Sequence, residues 1–142
     1  MRSLLVALVL LALAGCGSAP PPEPQQQQQP APPPKAPDEN AALSAITRIN
    51  DGQKDYHGVN RRYALTFEDL MEGHFLREEP TIANTGYDVK LRPAADAASY
   101  IVLGIPSPPS PAIRYFFSDQ TGVIRAEQGK DANAQSPPVE AH

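Results

Sequence analysis

Few side chains in this 142-residue sequence are of types that do chemistry, and their spacing narrows what that chemistry is. Cys16 is the single cysteine, which excludes an intramolecular disulfide, and no Cys/His cluster is present to hold structural zinc. The three histidines, His57, His74 and His142, fall at a helix end, in a loop and at the last residue, none with a partner at metal-motif spacing. Glu68, Asp69, Glu72, Glu78 and Glu79 crowd together. They lack the alternating ligands and central glycine of a calcium loop, so they read as a solvated face. No nucleophile elbow, no Gly-rich phosphate loop and no Cys nucleophile with a histidine partner occurs, and Ser44 and Ser99 are ordinary helix and strand-edge serines. Arg61-Arg62, just before Tyr63, is a cationic pair able to clamp an anion, although adjacent loop arginines usually face water. The expectation is a non-enzyme, with no catalytic residue, no metal and no cofactor. Lys+Arg number 12 against 16 Asp+Glu, a formal charge of −4, which argues against nucleic acid as a partner.

The cysteine gains meaning from what precedes it. Behind Arg2, residues 4–14 form an uninterrupted apolar run of 11 residues. As a helix this run rises roughly 16 Å, about half the ~30 Å hydrocarbon core, which suits a cleavable export signal better than a spanning anchor. The run ends Leu13-Ala14-Gly15-Cys16, which resembles the lipobox of bacterial lipoproteins. The resemblance implies cleavage before Cys16, so that residues 1–15 are a signal peptide, and transfer of a diacylglycerol to the thiol. The chain then has the membrane as a partner through its lipid. Gly17 in place of Asp implies the outer membrane, facing the periplasm, by the same resemblance.

The elements that follow show what the anchor carries. Nine of the 17 prolines and the run from Gln25 to Gln29 fall within residues 16–39, and residues 19–37 contain no Leu, Ile, Val or aromatic residue. Such a stretch buries no core and is expected to be a disordered, extended tether reaching up to roughly 55 Å. Residues 30–34, PAPPP, also resemble ligands of proline-binding grooves, but a standoff linker accounts for them. Residues 128–142 are polar, contain Pro137-Pro138, and are expected to form a loose tail. One modest domain, residues 40–127, remains.

Within it Leu43, Ile46, Ile49 or Asn50, Gln53 and Tyr56 recur at helical steps, with Asp38 or Asn40 as cap and Gly58 as the stop. The stripe is narrow and partly polar, so this helix must lean on another layer. A second, short helix is predicted from Thr66 as cap to Gly73. After Pro80 the period becomes two: residues 87–92 alternate apolar and charged until Pro93. Residues 100–105 form a strand covered more fully, and residues 106–111, with four prolines, a stiff loop. Residues 113–117 and 123–125 flank a Ser-Asp-Gln-Thr-Gly turn as a hairpin. The fold class is therefore α+β, an N-terminal helix packed on a small antiparallel sheet.

All nine aromatics lie in this domain and are expected to fill the core between helix and sheet. Phe116 alternates with Tyr115 and Phe117, so at least one aromatic of that strand faces away from the helix. It marks a contact surface, with Phe116, Pro108, Pro109, Arg61 and Arg62 as its candidates, or is covered by the 106–111 loop or by the tail.

Several segments together resemble the headpiece of type IV pilins and type II secretion pseudopilins, over residues 42–126. They are Ala45-Ile46-Thr47-Arg48-Ile49-Asn50 with Gln53 and Tyr56, Arg62-Tyr63-Ala64, Phe67-Glu68-Asp69-Leu70, Gly86-Tyr87 through Leu91, Tyr100-Ile101-Val102, and the closing hairpin from Phe116 to Arg125. The resemblance implies a helix on a small antiparallel sheet with no active site. It breaks at the N-terminus, where a lipobox and linker replace the long hydrophobic helix that packs a pilus core. The expected role is a structural or protein-binding component of a pilus or secretion-type assembly, with a protein partner in the envelope. The alternative is an envelope lipoprotein that binds a small ligand or glycan through an aromatic and arginine surface.

Overall fold

The computed structural model describes residues 36–140. Leu13, Ala14, Gly15 and Cys16, the signal segment, most of the linker and His142 lie outside the described residues. One long helix crosses a four-stranded antiparallel meander in the order β1-β2-β3-β4. The helix is α1 (Glu39–Asn60), followed by α2 (Phe67–Glu72) and the single turn α3 (Ile82–Thr85). The strands are β1 (Tyr87–Pro93), β2 (Tyr100–Pro106), β3 (Arg114–Asp119) and β4 (Arg125–Gln128). The α+β class read from the residue pattern therefore holds; β1 lies where the alternation placed it and β2 where the apolar run did, whereas the last strand begins at Arg125 and not at Val123.

Asp38 caps α1 by accepting a hydrogen bond from the Ala41 amide, with Glu39 in the first turn at the positive end of the helix dipole. The helix does not stop at Gly58. It continues to Asn60, where Arg61 adopts the left-handed conformation and its amide bonds back to the His57 carbonyl. Glycine is the usual residue at such an end, but nothing crowds Gly58, which stays helical. Thr66 and Asp69 form a reciprocal capping box at the start of α2, and Gly73 closes it as expected.

One face of α1, with Ala42, Ile46, Ile49 and Tyr56, packs against Tyr87, Val89, Tyr100, Val102 and Phe116 of the sheet, and Phe67, Leu70 and Leu76 close the layer. Gly104 sits under the helix, where an added Cβ would stand 3.2 Å from both Ile46 and Phe116. The ring pairs Tyr87–Phe116, Tyr63–Tyr100 and Tyr56–Phe75 run through this core at centroid separations of 5.4, 4.9 and 5.6 Å. The tether gives way to the fold earlier than residue 40, because the Asp38 amide donates to the Thr85 carbonyl, and Pro37 lies against Gly86.

The expected loose tail is the largest correction. After β4 the Gly129 amide bonds to the Ile113 carbonyl, and Ala132 covers Tyr115 and Phe117 on the outer face of the sheet. The chain then turns at residues 133–136 and runs along the free edge of β4. There the Ala126 amide donates to the Pro137 carbonyl and the Val139 amide to the Ile124 carbonyl. Arg125 fastens the turn by donating to the Ser136 carbonyl at 2.9 Å. Low hydrophobicity misled here, since this strap is held mainly by backbone pairing to an open strand edge rather than by its own apolar side chains.

Candidate functional site

A groove in two sections runs between α1 and the β3–β4 side of the sheet. Its apolar section, about 820 Å³, is walled by Leu43 of α1, Val123 and Ile124 of the β3–β4 loop, and Pro137, Pro138 and Val139 of the strap. Thr47 and Gly122 are shared with a polar section of about 400 Å³, where Asp51, Lys54 and His57 face Tyr100, Gln120 and Thr121. Helical spacing places Leu43, Thr47, Asp51, Lys54 and His57 along one wall. The groove ends at Arg114, whose guanidinium bonds to Glu39 at 2.9 and 2.6 Å and lies over the Phe116 ring.

The opposite wall is a loop, and buried polar groups hold it in place. Tyr100 donates its hydroxyl to Asn50 Oδ1 at 3.2 Å, Asn50 Nδ2 donates to Ser118 Oγ at 2.8 Å, and Ser118 Oγ donates to the Val123 carbonyl at 3.1 Å. Burial first, then the neighbouring Tyr63, pushes the Tyr100 hydroxyl far above the ordinary tyrosine range, so it remains a protonated donor. Asn50→Ala is expected to cost about 2–3 kcal/mol, because it strands the Tyr100 hydroxyl and frees the loop wall. Urea denaturation checks this, and an unchanged midpoint would show that the relay carries no energy.

The structure separates the residues expected to make a contact surface. Phe116 is 1% exposed and packs under α1, so it is core. The aromatics on the other face of β3 are Tyr115 and Phe117, and the strap residue Ala132 buries them. Of the two coverings anticipated for that face, the C-terminal segment is the one found. Pro108 and Pro109 are exposed in the β2–β3 loop near the start of α1, whereas Arg61 and Arg62 are exposed beyond its far end. A 22-residue helix spans roughly 33 Å, so these pairs form no common site. No aromatic among the described residues is exposed, and Tyr63 is half-buried with the His57 ring stacked on it at 4.5 Å. His74 sits in an exposed loop, away from His57.

Asn50, Gln53 and Ser118 were not among the candidate residues. For Asn50 and Gln53 the signal is a polar side chain at a stripe position of α1, a pattern that reads as a weak helix until a buried partner is known; Ser118, on β3, carries no such signal. Among the described residues no group of three or more His, Cys, Asp or Glu could hold a metal ion, and no helix is long and apolar enough to cross a membrane. No family model, no curated protein and no solved structure matches the chain.

Proposed function

We propose that the chain is a lipid-tethered protein of the bacterial envelope whose pilin-like headpiece binds another protein and does no chemistry. The observation that carries this reading is the long helix laid over a four-stranded antiparallel meander, the arrangement implied by the pilin and pseudopilin resemblance. The Leu13-Ala14-Gly15-Cys16 sequence supplies the tether, outer-membrane attachment facing the periplasm follows from Gly17, and the Pro/Gln-rich stretch gives standoff. The partner surface is the groove along α1, because Val123 is 38% exposed there beside Leu43 and Val139. The partner is a component of a pilus or secretion-type assembly.

In-cell cross-linking of the tagged full chain, with mass spectrometry of the captured proteins, tests this directly. Pilus or secretion components are expected in the captured set, and Val123→Asp should deplete them while the thermal midpoint stays within a few degrees. Capture of abundant envelope proteins alone, equally with both chains, would remove the reading. The polar section of the groove favours a second reading, a small polar ligand or glycan held by Asp51, Lys54 and His57. Thermal-shift screening with sugars, nucleotides and peptides separates the two, since only the second expects a stabilising hit.

A further inference from the structure

The sheet has two edges, and among the described residues only one of them is covered. The strap lies along β4, whereas β1 is the other outer strand. Which backbone groups of β1 face outward follows from its pairing. Tyr87 stands opposite Pro106, which has no N–H, and the Ser107 amide donates to the Gly86 carbonyl at 2.9 Å. Tyr87 and Pro106 are therefore a non-hydrogen-bonded pair, so the amides and carbonyls of Asp88, Lys90 and Arg92 face β2. Those of Tyr87, Val89 and Leu91 point away from the sheet. Thr85 Oγ accepts from the Tyr87 amide at 3.0 Å, and its one hydroxyl hydrogen is shared between the carbonyls of Tyr87 and Thr81, each at 3.0 Å. Pro93, the last residue of β1, has no amide to offer. What remains is a short open ladder, the N–H and C=O of Val89 and Leu91, and no hydrogen bond from the described residues reaches these four groups.

We propose that β1 pairs antiparallel with β1 of a second copy of this chain, about a two-fold axis at Lys90. The open ladder admits this register and excludes its neighbours. An axis at Val89 would require the amide of Tyr87, which already bonds to Thr85 Oγ, and an axis at Leu91 would require an amide from Pro93. With the axis at Lys90, Val89 exchanges both hydrogen bonds with Leu91 of the second copy, and Leu91 with its Val89. The ladder ends where Tyr87 of one copy, its amide already bonded, meets Pro93 of the other.

The side chains fit the same register. On the outer face Asp88 stands opposite Arg92 of the second copy, and the symmetry repeats the pair. The two Lys90 side chains meet at the axis, but each ammonium is held back by its own Asp88 at 2.8 Å. On the inner face Val89 meets Leu91, apolar against apolar. Isologous pairing of this kind closes after two copies, so it makes a dimer with one continuous sheet and no new open edge at β1. It stands independently of the pilin reading, since it uses only β1 and its caps.

Cysteine cross-linking of the full chain in cells is the test, with the wild-type chain, carrying Cys16 alone, as background. Non-hydrogen-bonded antiparallel pairs hold Cβ atoms about 4.5–5.5 Å apart, near disulfide range, so Lys90→Cys should give a covalent dimer on mild oxidation. Lys130→Cys should stay monomeric. Asp88→Cys alone should not link, but should do so when co-expressed with Arg92→Cys. In the Lys90→Cys background, Asp88→Arg sets like charges opposite each other and should lower the dimer yield about tenfold, and adding Arg92→Asp should restore it. The proposal is overturned if Lys90→Cys links no better than Lys130→Cys, or if Asp88→Cys links as well by itself. It is also overturned if the double charge reversal, folded by circular dichroism, fails to restore the yield.

Discussion

Cys16→Ala is expected to move the protein from the membrane fraction to the soluble fraction and to abolish incorporation of labelled fatty acid. The size of the effect follows from the anchor chemistry. Each buried methylene contributes about 0.8 kcal/mol, so one chain binds marginally and several chains hold almost irreversibly. The apolar run of 11 residues, if left uncut, rises only roughly 16 Å, and no helix among the described residues is long and apolar enough to cross a membrane. Fractionation with and without detergent reads the result. Undiminished membrane retention of the variant would refute lipidation, and the tether would then need another explanation.

Gln53→Ala is expected to destabilise the domain more than any other single polar truncation in α1, by about 3–5 kcal/mol. Gln53 is fully buried and meets the loop after α1 as a strand would. Its Nε2 donates to the Ala64 carbonyl at 3.1 Å and its Oε1 accepts from the Ala64 amide at 2.9 Å. Truncation leaves a buried amide and a buried carbonyl without partners, together with a cavity. Against a typical domain stability of 5–15 kcal/mol this is a large share, and the thermal midpoint should fall by more than about 10 °C. Gln53→Glu separates bonding from packing. Its carboxylate can accept from the Ala64 amide but repels the Ala64 carbonyl, whereas the protonated acid restores the donor. Burial raises the carboxyl's pKa in the folded state above its unfolded value. The stability of this variant is therefore greatest at low pH and is lost as pH rises through that folded value. A pH-independent midpoint for Gln53→Glu, or a fall under about 1 kcal/mol for Gln53→Ala, would show that the loop is held by other contacts.

The same residue shows how far the linear pattern carries. At stripe positions of α1, Gln53 and Asn50 read as gaps in an apolar face, and they lowered the apparent quality of the helix. Folded, they are its ties. One joins α1 to the Tyr63-Ala64 loop, and the other joins α1 to Tyr100 and Ser118. Periodicity records whether a position is inside, but an interior amide and an interior leucine satisfy burial by different means. Which one a position requires depends on the backbone groups that arrive opposite it, 11 residues away for Gln53 and 68 for Asn50 and Ser118.

β3 shows the same limit in another form. Alternation correctly separated Phe116 from Tyr115 and Phe117, but it did not say which side carried the helix. Register decided that, because Phe116 lies opposite Gly104, whose missing side chain makes room under Ile46. The contact surface sketched on Phe116 therefore became core, and the groove walls came from Leu43, Val123 and Val139, brought together from three separate segments.

From the sequence alone came what depends on neighbours along the chain: the cap at Thr66, the narrowing of the first cap to Asp38 or Asn40, the alternating strand at residues 87–92, a hairpin closing the sheet and the α+β class; the hairpin's turn, expected at residues 118–122, lies between Asp119 and Arg125. Spacing of a few residues decides these, and it is written in the chain. The tertiary structure alone decided that residues 128–140 pack, that the groove exists, and that Val89 and Leu91 offer an open ladder. Each of these needs a strand edge to be either met or left by another segment, and edge pairing uses backbone groups that every residue carries. Side-chain composition is silent about such bonds, so only the folded chain reveals where they are made and where they remain open.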